Sequence, residues 1–245
     1  METPDLNYNH WLQKWYDNNG NKNVFRVSYS DFRGTLTECE NAILEIVNKE
    51  NITDIEILRV IDLINQWGGG MSRGFYLPKV KTLKDGQKLI RIPREVIKLP
   101  ENINRYREGI TLARDNNSDS INYFRQFGIA SSYIGKHAYF WSNYNLPIID
   151  AKIAGVLGYR TSQSLLSNNT YESIIEHMRN IQTNHELNRL YNVEKGFFAF
   201  HKNYFNNTNT AFKNNIIDFI DCQYAIYIAG ILEIVIPQYI YDNCK

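Results

Sequence analysis

The stretch from Phe127 to Gly158, FGIASSYIGKHAYFWSNYNLPIIDAKIAGVLG, constrains this chain more than any other part of it. Gly128 ends what precedes it, because glycine in a helix interior costs roughly 1 kcal/mol relative to alanine. Helical spacing resumes over SSYIGKHAYFWSNY, which carries Lys136. Pro147 biases its predecessor to extended backbone, so Leu146 to Ile149 reads as a short linker. Asp150 then stands where a helix beginning AKIAGVLGY takes its N-cap.

The same spacing recurs elsewhere. Leu6, His10, Trp11, Leu12 and Trp15 fall at helical intervals, and Thr37 with Glu40 reads as a capping box before AILEIV. A helix over DIEILRVIDLINQW starts at Thr53 or Asp54 and stops at Gly68-Gly69-Gly70. The segment KVKTLKDGQKLIRIP alternates about an Asp85-Gly86 turn and predicts a short hairpin or extended excursion between Met71 and Pro100. Helices follow at ENINRYREGITLARD, SDSINYFRQF, TYESIIEHMRNI, HELNRLYNVEKGFFAFHKNYF and TAFKNNIIDFIDCQYAIYIAGILEIVI, separated by asparagine-rich breaks. The fold class is therefore mainly α with little strand. At 245 residues and 43% hydrophobic content, the chain buries a sizeable core in one unit or two closely packed lobes.

No run approaches the roughly 20 apolar residues of a membrane span, and the amino terminus lacks the pattern of a secretion signal, so no membrane and a bacterial cytoplasmic location are expected. Cys39, Cys222 and Cys244 are scattered, with neither a CxxC pair nor histidine at ligand spacing, and are read as reduced structural thiols. No metal and no cofactor is expected. The net charge of +1 neither supports nor excludes a nucleic-acid partner. Locally, the run from Arg73 through Lys79, Lys98 and Arg107 to Arg114 is rich in cations. It reads either as a phosphate-facing surface or as an ordinary solvated one.

The order of elements about residues 127–158 resembles the helix-hairpin-helix DNA glycosylase superfamily, and more closely its compact bacterial proteins with the 8-oxoguanine DNA glycosylase fold. There a Phe-Gly hairpin precedes a lysine-bearing helix, and a Pro-Ile-x-Asp segment opens the next helix. The matching residues here are Phe127-Gly128, Gly135-Lys136 and Pro147-Ile148-Ile149-Asp150. Upstream, Trp67-Gly68 resembles the family's Trp-Gly step, and Asp218 to Gly230 its closing helix. The resemblance implies a single glycosylase-like unit over 1–245, with two helical lobes around a cleft, 1–115 with 220–245 and 116–219. It also implies a monomer acting on double-stranded DNA that contains a modified base.

Loss of a base leaves positive charge on the sugar, and a fixed carboxylate in a dry site stabilises that charge and orients the attacking water. By position alone Asp150 either does this or merely caps its helix; the resemblance favours catalysis. Lys136 is the second catalytic candidate, as the amine that displaces the base in enzymes that also cut the strand. Aligning the hairpin on Gly128 puts the family lysine near Ala130, however, and Lys136 precedes Asp150 by only fourteen positions. Phosphate contact is its other reading. Backbone N–H groups from Gly128 to Ser132, the Ser131 and Ser132 hydroxyls, Lys152, Arg73 and Lys79 are the DNA-binding candidates. Trp67, Tyr139 and Trp141 are candidate walls of a base pocket, Asn143 and Asp221 its polar readers, and Arg73, Tyr76 and Asn104 candidates for a wedge into the emptied stack.

The favoured substrate is glucosylated hydroxymethylcytosine in phage DNA, an antiviral role known among similar small bacterial proteins; 8-oxoguanine repair is the alternative. A non-catalytic DNA-binding module and a helical interaction protein are the competing classes.

Overall fold

The structure, a computed structural model, describes residues 17, 21–24, 30–69, 76, 79–82, 84, 86–125, 129, 131–150, 168–184, 190 and 193–195. The described residues are mainly helical. The chain divides into two compact units, one of Asn19–Ile148 and one of Met1–Asn18 with Ile149–Lys245.

In the Asn19–Ile148 unit, α1 (Leu36–Val47) and α2 (Asp54–Trp67) each start on a capping box. Thr35 Oγ1 accepts from the Glu38 N–H at 3.2 Å while Glu38 Oε2 accepts from the Thr35 N–H at 2.7 Å. Thr53 and Glu56 repeat the arrangement at 3.3 and 2.9 Å. The first box is Thr35 with Glu38 instead of the expected Thr37 with Glu40, because a bridge to Asn23 holds Thr35 in extended backbone and the helix begins immediately after it. Cys39, Ile43, Ile46 and Val47 on α1 and Ile57, Val60, Ile61 and Ile64 on α2 are buried at helical spacing, and the two helices pack together.

Strands β1 (Lys79–Thr82) and β2 (Lys88–Arg91) form an antiparallel hairpin in the register Lys79 to Arg91 and Thr82 to Lys88. Gly86 in its loop has φ +83°, a conformation open to glycine at little cost. Where only extended chain was expected before Pro100, a one-turn helix α3 (Pro93–Ile97) follows, with Pro93 in the first turn and Ile97 fully buried. Helix α4 (Pro100–Arg114) likewise carries proline in its first turn and buries Ile103, Tyr106, Ile110 and Ala113. Helices α5 (Ser120–Arg125) and α6 (Ser131–Trp141) complete the unit. A Cβ on Gly109 would stand 2.9 Å from Tyr123 Cβ, so α4 and α5 approach as closely as they do only because no side chain intervenes.

Helix α6 packs on α4, α5, α1 and α2. The lysine-bearing helix thus packs with the residues before it in the Asn19–Ile148 unit. In the second unit, α7 (Asn168–Asn184) buries Tyr171, Ile174, Ile175 and Met178 along one stripe, and Leu190, Val193, Glu194 and Lys195 are buried as well. Among the described residues no helix is long and apolar enough to cross a membrane. The expected helix at Leu6–Trp15, the helix after Asp150 and those beyond residue 200 lie outside the described residues.

Candidate functional site

Helix α6 presents three kinds of side chain. Lys136 is buried, with Nζ 4.7 Å from the centre of the Tyr133 ring, a cation on an aromatic face. His137, next along, is buried between α4 and α5 side chains; its ring lies 5.8 Å from that of Tyr106 and 5.7 Å from that of Phe124. Tyr139, Phe140 and Trp141 are all buried too.

Tyr106, His137 and Trp141 satisfy one another. The Trp141 indole N–H donates to the Tyr106 hydroxyl at 3.2 Å, and that hydroxyl bonds His137 Nδ1. With its oxygen accepting from Trp141, the hydroxyl retains a proton that needs an acceptor in a dry setting, and Nδ1 of a neutral imidazole is that acceptor. Burial pushes the Tyr106 phenol up and the His137 imidazole down to about 3, the positive charge of Lys136 adding to the latter. His137 is thus a neutral packing residue.

The helix ends on a constrained turn. Asn143 has φ +50° and Tyr144 φ +74°, and Tyr144 is a bulky residue in a region that favours glycine. The Tyr144 N–H donates to Tyr139 O at 2.8 Å, its hydroxyl donates to Glu40 at 2.8 Å, and its ring lies 4.7 Å from that of Tyr139. Ser142 Oγ then accepts from the Leu146 N–H at 2.9 Å. Beyond it the chain runs without regular structure. Leu146, Pro147, Ile148 and Ile149 are buried, and Asp150 is the first residue of the segment to become half-exposed.

Trp67 and Tyr139, expected as open stacking walls, stack on each other at 6.2 Å and 28°, and Tyr139 is fully buried. The Trp67 indole donates to Glu40 at 3.3 Å, and Trp67 itself is partly exposed. Trp141 and Asn143 do come together. With Asn145, Asn48 and Arg114 they line a polar cleft of about 430 Å³, although Trp141 itself is only 2% exposed and shows no open ring face. Asp221, Gly128, Lys152 and Arg73 lie outside the described residues. Ser131 and Ser132 are the first two residues of α6, and Lys79 opens β1. Lys136 falls in the Asn19–Ile148 unit and Asp150 in the other.

Several described cations of the cation-rich run are held by ion pairs or carbonyls. Arg94 is tied to Asp62 at 2.6 Å, Arg107 to Asp54 at 2.6 Å and Lys98 to Glu95 at 2.7 Å. Arg114 donates to Val47 O at 2.8 Å and to Lys49 O at 2.6 Å, closing the carboxyl end of α1. Tyr76, a candidate wedge, donates to Asp62 at 2.8 Å.

Sequence reasoning missed Tyr106, whose signal was its place on the buried stripe of α4, and Asp62 with Arg94, thirty-two residues apart. Among the described residues no group of three His, Cys, Asp or Glu side chains is set to hold a metal. No family model, curated protein or solved structure matches this chain.

Proposed function

We propose that this chain is a DNA glycosylase that takes a modified nucleotide turned out of duplex DNA and hydrolyses its N-glycosidic bond without cutting the strand. In the proposed reaction the bond from C1′ to the base nitrogen breaks and its electron pair leaves with the base. Asp150 faces the cationic sugar and receives a proton from the water whose oxygen bonds C1′. The observation that carries this reading is the run from Leu146 to Ile149: four buried residues precede Asp150, which is half-exposed. A held carboxyl with one open side is what such a role requires.

The favoured base is glucosylated hydroxymethylcytosine, supported by the resemblance of residues 127–158 and by a tyrosine- and asparagine-rich composition that offers partners for sugar hydroxyls. Hydrolysis without strand cleavage is supported by Lys136, whose ammonium is engaged with the Tyr133 ring in a buried position and so is poorly set to act as a free amine.

The test is base release from duplexes carrying glucosylated hydroxymethylcytosine, 8-oxoguanine, uracil or an alkylated base. Release from the first is expected, and Asp150→Asn should lower it by about 100-fold or more. Unchanged turnover in that variant removes Asp150 from the chemistry, and no release from any duplex removes the enzyme.

A further inference from the structure

The outer face of α2 carries a second built site. Ile55, Leu58, Arg59 and Asp62 recur on it at helical spacing, opposite the buried stripe of Ile57, Val60, Ile61 and Ile64. A solvent face seldom holds a buried carboxylate beside an exposed isoleucine. Here Ile55 is 79% exposed while Asp62 is 6% exposed. Together with Arg33, Arg94 and Lys98 these residues line an open cavity of about 650 Å³, within the range of small-molecule sites.

Asp62 is what makes the cavity more than a cationic surface. Arg94 grips it with both edges of a fork, Nε to Oδ1 at 2.8 Å and Nη2 to Oδ2 at 2.6 Å, and the Tyr76 hydroxyl adds a third bond at 2.8 Å. The Arg94 guanidinium is thereby held in one orientation, and with Nη1 also donating to Glu95 at 3.2 Å it keeps one hydrogen on each Nη. Two further guanidiniums share the lining. Among the described residues neither Arg33 nor Arg59 makes an ion pair. The lining as a whole, Asp31 included, carries four cations and two carboxylates. Glu95, outside the lining, pairs with both Arg94 and Lys98. That leaves Arg33 and Arg59 as the guanidiniums of the cavity that no described carboxylate engages, a charge that suits one phosphate monoester of about −1.5 to −2 near neutral pH.

We infer that this cavity binds a phosphate monoester on a compact organic body, the phosphate on Arg33, Arg59 and Arg94 and the body against Ile55 and Leu58. A phosphate takes guanidinium forks as a matched acceptor, and a fixed Arg94 lowers the ordering needed on binding. All the lining residues belong to the Asn19–Ile148 unit, and the inference does not rest on the glycosylase reading.

The experiment is calorimetric titration of the whole chain with adenosine 5′-monophosphate and with ribose 5-phosphate, adenosine serving as the unphosphorylated control. Saturable binding of at least one phosphorylated probe is expected, weaker at high salt, with none for adenosine. Arg59→Ala and Arg33→Ala change exposed side chains and should each weaken binding by about tenfold, with unchanged circular dichroism. Absence of saturable binding by both phosphorylated probes overturns the inference, as does binding that survives both substitutions or is equalled by adenosine.

Discussion

The hydroxyl of Tyr106 bonds Nδ1 of His137 in a place closed to solvent, so the protein can protonate this histidine only by breaking that bond or opening the core. Burial and the neighbouring Lys136 charge hold the imidazole down to about 3, against 6.5 in an unfolded chain. The folded chain therefore declines a proton that the unfolded chain accepts. Below pH 6.5 the unfolded state gains protons and the folded state does not, so this contribution falls as pH drops from 6.5 toward 3, by at most about 1.4 kcal/mol per pH unit. His137→Gln keeps an acceptor for Tyr106 but cannot titrate. Unfolding midpoints measured from pH 7.5 to 5 should fall more steeply for the parent than for the variant, and parallel curves would refute the assignment.

Arg94 and Asp62 form a tie in which removal of one partner costs more than the tie itself contributes. Their side chains are only 17% and 9% exposed, so Arg94→Met leaves a carboxylate that water scarcely reaches. The expected loss is about 3 kcal/mol, whereas Tyr76→Phe, which deletes one of three bonds to the same carboxylate, should cost about 1 kcal/mol. Urea denaturation of both variants checks the order, and an equal or reversed order would show that Asp62 is solvated.

Gly68 closes α2 against Tyr133. A Cβ there would sit 2.6 Å from the Tyr133 ring, whose hydroxyl donates to Gly68 O at 2.8 Å, and Tyr133 is too buried to swing aside. Gly68 has φ −74°, so alanine meets no backbone strain and would gain about 0.4–1 kcal/mol from a stiffer unfolded chain. Overpacking at about 1–3 kcal/mol outweighs that gain. Gly68→Ala should therefore lower the unfolding midpoint; a midpoint that rises would mean the aromatic ring yields without cost.

Lys136 offers a chemical test of strand cleavage. Borohydride reduction during turnover traps an imine between an amine and the opened sugar. No trapped protein–DNA adduct is expected from the parent chain acting on a duplex whose base it releases. An adduct that vanishes in Lys136→Ala would reassign this lysine as the nucleophile.

The helices were legible wherever a cap and an apolar stripe coincided. Thr53 with Glu56, the Gly68 stop and the stripe on α7 carry their own local signals. The start of α1 was misplaced by two residues because two overlapping Thr-x-x-Glu boxes compete, and a bridge from Asn23 decides between them. Helix α3 escaped notice because five residues hold too little periodicity to read. Of the candidate site, the turn and linker before Asp150 were visible through Pro147. The fate of the aromatics was not. Whether Tyr139 faces a ligand or Trp67 depends on which helices meet, and the partnership of Tyr106 with His137 joins positions thirty-one residues apart.

Cys39 gives the molecule an internal clock. It is 0% exposed, its Sγ lies 3.5 Å from Leu63 O across the α1 and α2 contact, and burial pushes its thiol up to about 12. Alkylating reagents attack thiolate and need access, so in the native state this sulfur is silent on both counts. Its rate of modification under native conditions, read on the peptide that carries it, thus counts how often α1 and α2 part, with no substitution added to the chain.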